Sequence, residues 1–105
     1  VREHAFSECT ALEAVTLPEG VTELGVNAFL GCTALETVTL PQTLERLPSG
    51  VFLGCRRLKD IDLGGVRTVG SNAFRGCGAL ETVRAAGDVT FSEGNETAEK
   101  LVGRV

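Results

Sequence analysis

Tryptophan, tyrosine and methionine are missing from this 105-residue chain, histidine occurs once and proline three times. Nor is there an apolar run approaching the roughly 20 residues a helix needs to cross a bilayer, so the sequence predicts no direct membrane insertion of that kind. One histidine near a chain end is a poor start for nucleophilic catalysis, and no glycine-rich phosphate loop ending in Lys-Ser/Thr occurs. Excess positive charge is lacking too: 10 basic residues stand against 14 acidic ones, a net charge of -4. The electrostatic footprint of a nucleic-acid binder is therefore absent, and basic partners are slightly favoured. No positive end followed by an apolar stretch and a small-residue cleavage site reads as a secretory leader. What the chain does have is 13 glycines, five phenylalanines and apolar mass drawn mostly from Leu, Val and Ala. That mixture suits repeated thin layers better than one irregular core.

The four cysteines, Cys9, Cys32, Cys55 and Cys77, are separated by 23, 23 and 22 residues, and the same frame recurs around each. Apolar columns align: Phe6, Phe29, Phe52 and Phe74; Leu12, Leu35, Leu58 and Leu80; Val15, Val38, Ile61 and Val83; Leu17, Leu40, Leu63 and Ala85. On the return path come Val21, Leu44, Val66 and Val89, then Leu24, Leu47 and Val69, while Val1 falls in that last column before the first Phe. The shorter spacing is local, since Leu63-Gly64-Gly65 drops one residue in a turn that glycine makes permissive. Leu-x-x-Val-x-Leu matches the strand half of the leucine-rich repeat signature, and the period lies within that class. Val38 and Leu40 alternate inward while Thr37 and Thr39 face out, the pattern of a strand with one buried face. Each unit is too small to fold alone. Only neighbouring rungs that cover both flat faces of a layer can offset its ordering entropy.

Read from Ala28 through Leu47, the frame combines an Ala-Phe pair, a Gly-Cys pair, the Leu-x-x-Val-x-Leu strand and a proline. It resembles the BspA-like, bacterial-surface-antigen type of leucine-rich repeat over about residues 1–91. Val51 departs from the Ala position and Glu8 from the first Gly, and the third and fourth repeats lack Pro. These changes affect turns, not the core. The expected fold is a leucine-rich repeat solenoid of the α/β-type repeat class, rich in β, with about four stacked rungs of 22 to 23 residues. The resemblance implies a parallel sheet on the concave side, with short turns or 3₁₀ segments and a second short strand on the convex side. It further implies binding or adhesion at the surfaces of bacteria and some protists, and no catalytic activity.

The ends break the frame. Val1 lies partway through a repeat, which leaves an unpaired apolar edge for preceding repeats or another subunit to cover. After Val89 the pattern is expected to fail, because Ser92 stands where Leu or Val is due and Ser92-Glu93-Gly94 reads as a loop. Domain organisation is thus a solenoid fragment over 1–91 followed by a tail over 92–105. Asn95 to Val105 fits a short C-terminal helix or cap, with Asn95 as its cap, acidic Glu96 and Glu99 in the first turn, and Ala98, Leu101 and Val102 on one face. A truncated repeat or a linker fits that segment as well.

The candidate chemistry is thin. Each thiol sits on its own rung about 4.8 Å from the next, too sparse for a tetrahedral zinc site and near the outer limit for a disulfide. Buried free thiols acting as small apolar groups are expected. His4 shares its column with Asn27, Gly50 and Asn72, residue types suited to left-handed turns. Asp60 and Asp62 alternate outward and read as solvated. Asn95-Glu96-Thr97 has the form of an N-glycosylation acceptor, a triplet that also arises often by chance. No cofactor or metal is expected.

What remains is surface. The outward strand positions Thr16, Thr37, Thr39, Asp60, Asp62, Thr82 and Arg84, with Ala14 beside them, form the candidate protein-binding face, rimmed by Glu13, Glu36, Lys59 and Glu81. Four strands about 4.8 Å apart, each offering about four residues at 3.3 Å, make a face of roughly 250 Å². A standard interface covers about 800 Å² per partner, so this segment alone should bind weakly. The expected function is a non-enzymatic protein-protein interaction module within a longer surface or secreted repeat protein. The alternative is a scaffold, a structural subunit of a large intracellular or organellar complex docked through its open edge.

Overall fold

The computed structural model describes residues 2–102. Val1, placed mid-repeat by the column pattern, and positions 103–105, where the expected helix ran on to Val105, lie outside the described residues. Within them the chain winds through parallel rungs and carries two separate sheets. The first consists of β1 (Ala14–Thr16), β2 (Thr37–Thr39), β4 (Asp60–Asp62) and β6 (Thr82–Arg84), hydrogen-bonded in that order. The second consists of β3 (Arg46–Leu47), β5 (Thr68–Val69) and β7 (Thr90–Phe91). Every pairing is parallel, as it must be when successive strands are the same part of successive rungs. Val15, Val38, Ile61 and Val83 sit in register on the inner face of the first sheet, with the flanking residues of each strand exposed.

The Ala-Phe-x-Gly-Cys segments are chains of tight turns rather than strands. In the second repeat Ala28, Leu30, Cys32 and Leu35 each donate an N–H to the carbonyl three residues back, at 3.1 to 3.2 Å. The alternate amides cross to the next rung, Phe29 to Val51 at 3.0 Å and Gly31 to Leu53 at 2.8 Å. One residue per repeat must turn left-handed to start this run: His4, Asn27, Gly50 and Asn72 have φ of 56°, 58°, 63° and 58°. That is the turn role expected of the His4 column. Where the third repeat loses a residue, Gly64 adopts φ of 54°.

The columns become ladders in space. Phe6, Phe29, Phe52 and Phe74 stack with ring centroids 5.3, 5.7 and 5.7 Å apart and interplanar angles that open from 5° to 26°. Beside them, the thiols of Cys32, Cys55 and Cys77 donate to the carbonyls of Phe6, Phe29 and Phe52 on the rung before, at 3.1 to 3.3 Å. All four cysteines are free, three of them buried and Cys9 half-buried. The middle of the stack is dry: Phe29, Phe52, Leu35 and Leu58 have no exposed surface, whereas Phe6 in the first rung remains 43% exposed.

Two expectations for the tail need correcting. The frame does not fail at Ser92, because Phe91 lies opposite Val69 in the second sheet and fills the column. One residue fewer separates Val89 from this strand than separates Val66 from Val69, so counting at constant spacing lands one residue too far along. The frame in fact continues through Gly94, whose φ of 85° makes it the next member of the left-handed turn column. A short helix, α1 (Glu96–Leu101), then begins, with Ala98 buried and Leu101 and Val102 packed against the core. Asn95 precedes it but makes no side-chain capping bond to α1. Its side chain instead turns back into the solenoid.

Candidate functional site

The first sheet presents two outward rows because a strand alternates its side chains between faces. Ala14, Thr37, Asp60 and Thr82 align in one row through the β1–β2–β4–β6 register. Thr16, Thr39, Asp62 and Arg84 form the other, Thr16 facing Thr39 and Asp62 facing Arg84 in register. All seven of the sequence-selected residues, Thr16, Thr37, Thr39, Asp60, Asp62, Thr82 and Arg84, are exposed and share this one face. The rim is set by backbone bonds, with Glu36, Lys59 and Glu81 each donating an N–H to the carbonyl of the rim residue one rung before, at 2.8, 3.4 and 2.7 Å.

These positions are not equivalent chemically. One carboxylate oxygen of Asp62 accepts the Gly64 N–H at 3.0 Å, so this side chain also fixes the shortened turn of the third repeat. Asp60 has no such local duty and is the cleaner recognition group. The middle of the face is acidic between a threonine-bearing side and the Thr82–Arg84 side. Such rows offer hydroxyl, carboxylate and guanidinium groups at rung spacing to a polar partner.

A second feature escaped the sequence reading. Beside the β3–β5–β7 sheet runs an open groove of about 580 Å³, lined by Thr22, Glu45, Arg46, Thr68 and Ser92 among others. Its lining joins residues of β3 and β5 to Pro48, Gly70 and Ser92, which follow the strands of the second sheet. An exposed Arg67–Glu45 pair at 4.0 Å borders this side. Exposed pairs of this kind contribute little to stability. Burial pushes the Cys77 thiol up to about 12 from 9.0 and raises Cys55 and Cys32 as well. Among the described residues no group of three or more His, Cys, Asp and Glu side chains could hold a metal ion, and no helix is long and apolar enough to cross a membrane. His4 lies outside both faces, its Nδ1 3.1 Å from the Ser7 hydroxyl, which in turn donates to the Asn27 carbonyl at 2.8 Å.

Comparison with known proteins follows the same geometry. Residues 1–95 match the family model described as BspA type leucine rich repeat region (6 copies). The structure is similar to that of a leucine-rich cell surface protein from Faecalibacterium prausnitzii A2-165, with a TM-score of 0.78, 27% identity, and coverage of 100% of this chain and 32% of that one. A leucine-rich repeat protein from Bacteroides ovatus ATCC 8483 superposes with a TM-score of 0.83 at 29% identity, covering 97% of this chain and 28% of that one. The T. pallidum leucine-rich repeat protein gives 0.61 at 31% identity, over 80% of this chain and 50% of that one. The chain thus spans about a third of the length of the first two structures. No curated protein matches it in sequence.

Proposed function

The chain belongs to the BspA-type leucine-rich repeat family, and from that premise we propose that it is a non-enzymatic protein-interaction module of a longer surface or secreted repeat protein. The observation that carries this reading is the first sheet, whose two outward rows bring seven polar side chains into register on an exposed face. Repeats of this family are typically protein-interaction modules, and one similar structure is that of a cell surface protein. Recognition runs through Thr16, Thr37, Thr39, Asp60, Asp62, Thr82 and Arg84. A partner with basic groups suits the central carboxylates. The face supplies only roughly 250 Å², so strong binding needs its flanks or further repeats.

The exposed Phe6 ring supports a second reading, in which the chain is a structural or scaffolding piece docked through its first rung. Phe6 is 43% exposed, and Leu12, Val15 and Val21 are only half-buried. The two readings separate in one experiment. A partner captured on the immobilised chain is titrated against the Asp60→Lys and Phe6→Glu variants. Recognition through the sheet predicts at least a tenfold loss of affinity for Asp60→Lys and little change for Phe6→Glu. The reverse pattern would assign the interaction to the first rung and refute the sheet.

A further inference from the structure

We infer that Asn95 is the residue that ends the solenoid, its carboxamide standing in for the main chain of a rung that is not built. In every earlier repeat the phenylalanine N–H donates to the main-chain carbonyl one rung on: Phe6 to Ala28 at 2.8 Å, Phe29 to Val51 at 3.0 Å, Phe52 to Ala73 at 2.9 Å. Asn95 is the next member of that Ala28–Val51–Ala73 column. At this last step the donor is the same and the acceptor changes, since the Phe74 N–H donates to the side-chain Oδ1 of Asn95 at 2.9 Å.

The substitution releases the Asn95 main-chain carbonyl for another use. It accepts the Glu99 N–H at 2.9 Å, the first hydrogen bond of α1. One residue therefore serves both structures, the side chain completing the ladder while the main chain opens the helix. Alanine or valine at this position has one carbonyl and could not do both. The carboxamide nitrogen secures the arrangement by donating to the carbonyls of Gly70 at 2.9 Å and Ser92 at 2.8 Å. Asn95 is 2% exposed, with its amide engaged on both atoms. Aspartate would keep the acceptor but lose these two donors, leaving a buried carboxylate beside two carbonyl oxygens.

The consequence reaches the whole end of the molecule. With its backbone diverted into α1, this end presents Ala98, Leu101 and Val102 to the last rung in place of a fifth Phe and Cys. The sequence triplet Asn95-Glu96-Thr97 gains a structural meaning in place of the glycosylation acceptor, because the folded chain does not present the amide nitrogen to solvent.

The test reads the hydrogen bond directly in the intact chain. Scalar coupling across hydrogen bonds, measured on the uniformly ¹³C- and ¹⁵N-labelled protein, should connect the Phe74 amide nitrogen to Asn95 Cγ, and the Phe52 nitrogen to the Ala73 main-chain carbonyl. A correlation from Phe74 to the Asn95 main-chain carbonyl, or none from Phe74 while the Phe52 correlation is present, would overturn the proposal. In Asn95→Ala, amide exchange at Phe74 and Glu99 should rise about tenfold to a hundredfold, as expected where a buried donor loses its partner. Phe29 and Phe52 should be unchanged. Uniform acceleration in all rungs, or an unchanged Phe74, would show that Asn95 is an ordinary packing residue.

Discussion

The same side chain recurs four times in this molecule with different surroundings, so the cost of a substitution depends on its rung. Phe52 touches a ring on both sides and has no exposed surface, whereas Phe6 has one ring neighbour and is 43% exposed. Phe52→Ala should therefore destabilise by about 3–5 kcal/mol, and Phe6→Ala by about half of that or less, since much of its apolar surface never leaves water. Urea midpoints of the two variants measure the difference, and equal losses would mean that the ring ladder is not the unit of packing. The thiols make a second prediction at this scale. Burial raises Cys77 to about 12 from an ordinary 9.0, and raises Cys55 further with added repulsion from Cys77 and Cys32. Because the folded value lies above the unfolded one, the contribution is fully present below pH 9 and is lost as pH rises toward 12, where the unfolded chain ionises first. Unfolding by urea at pH 8, 10 and 11 should show midpoints falling across the last two. A Cys77→Ala variant should lose less over the same interval, and an identical slope would remove the thiol from the explanation.

At the scale of the element, the fold was legible wherever burial forces repetition. Val38, Ile61 and Val83 alternate with exposed residues, and the strands, their register and the first sheet follow from that alternation. The outward rows were legible for the same reason, since a side chain that is not inside a strand layer must face out. Their partner was not, because a threonine that binds and one that keeps a sheet solvated look the same in sequence. The tail was misread by one residue because Val89 kept the old spacing while the chain shortened just after it. Asn95 was misread for a different reason: asparagine ahead of an acidic first turn is also the signature of a helix cap, and only the position of Phe74 shows which bond its oxygen makes. Glycine in the second sheet was equally silent. At Gly70, just after β5, an added Cβ would lie 2.5 Å from the main-chain nitrogen of Ser49, an atom held in the neighbouring rung. Gly70→Ala should accordingly cost about 1–3 kcal/mol by overpacking, with amide protection lost at residue 70 itself, whose N–H donates to the Leu47 carbonyl at 2.7 Å. A neutral thermal melt would mean that the rungs can part there without penalty.

The whole molecule is asymmetric along its stack. At α1, Ala98 is buried and Leu101 and Val102 lie against the core, whereas in the first described rung Phe6 is exposed and Leu12 and Val15 are half-buried. Charge deepens the asymmetry. Residues 1–49 carry seven glutamates against two arginines, whereas residues 50–87 carry six basic side chains against three acidic ones. Like charges gathered in the first two rungs repel across the stack, and screening at physiological salt, with a Debye length near 8 Å, relieves part of that. In a stack where each rung touches only its neighbours, local opening begins where a rung is least covered. The amides of Phe6 and Glu8, which donate to Ala28 and Leu30, should then exchange fastest among the interrung bonds, those of Phe52 and Gly54 slowest, and those of Asn72 and Phe74 close to the slow group because α1 covers their rung. Raising the ionic strength should slow exchange at Phe6 and Glu8 more than at Phe52. Equal protection from Phe6 to Phe74 would mean that the rungs open together as one cooperative body, and neither the exposure of Phe6 nor the acidic first half would then have an energetic consequence of its own.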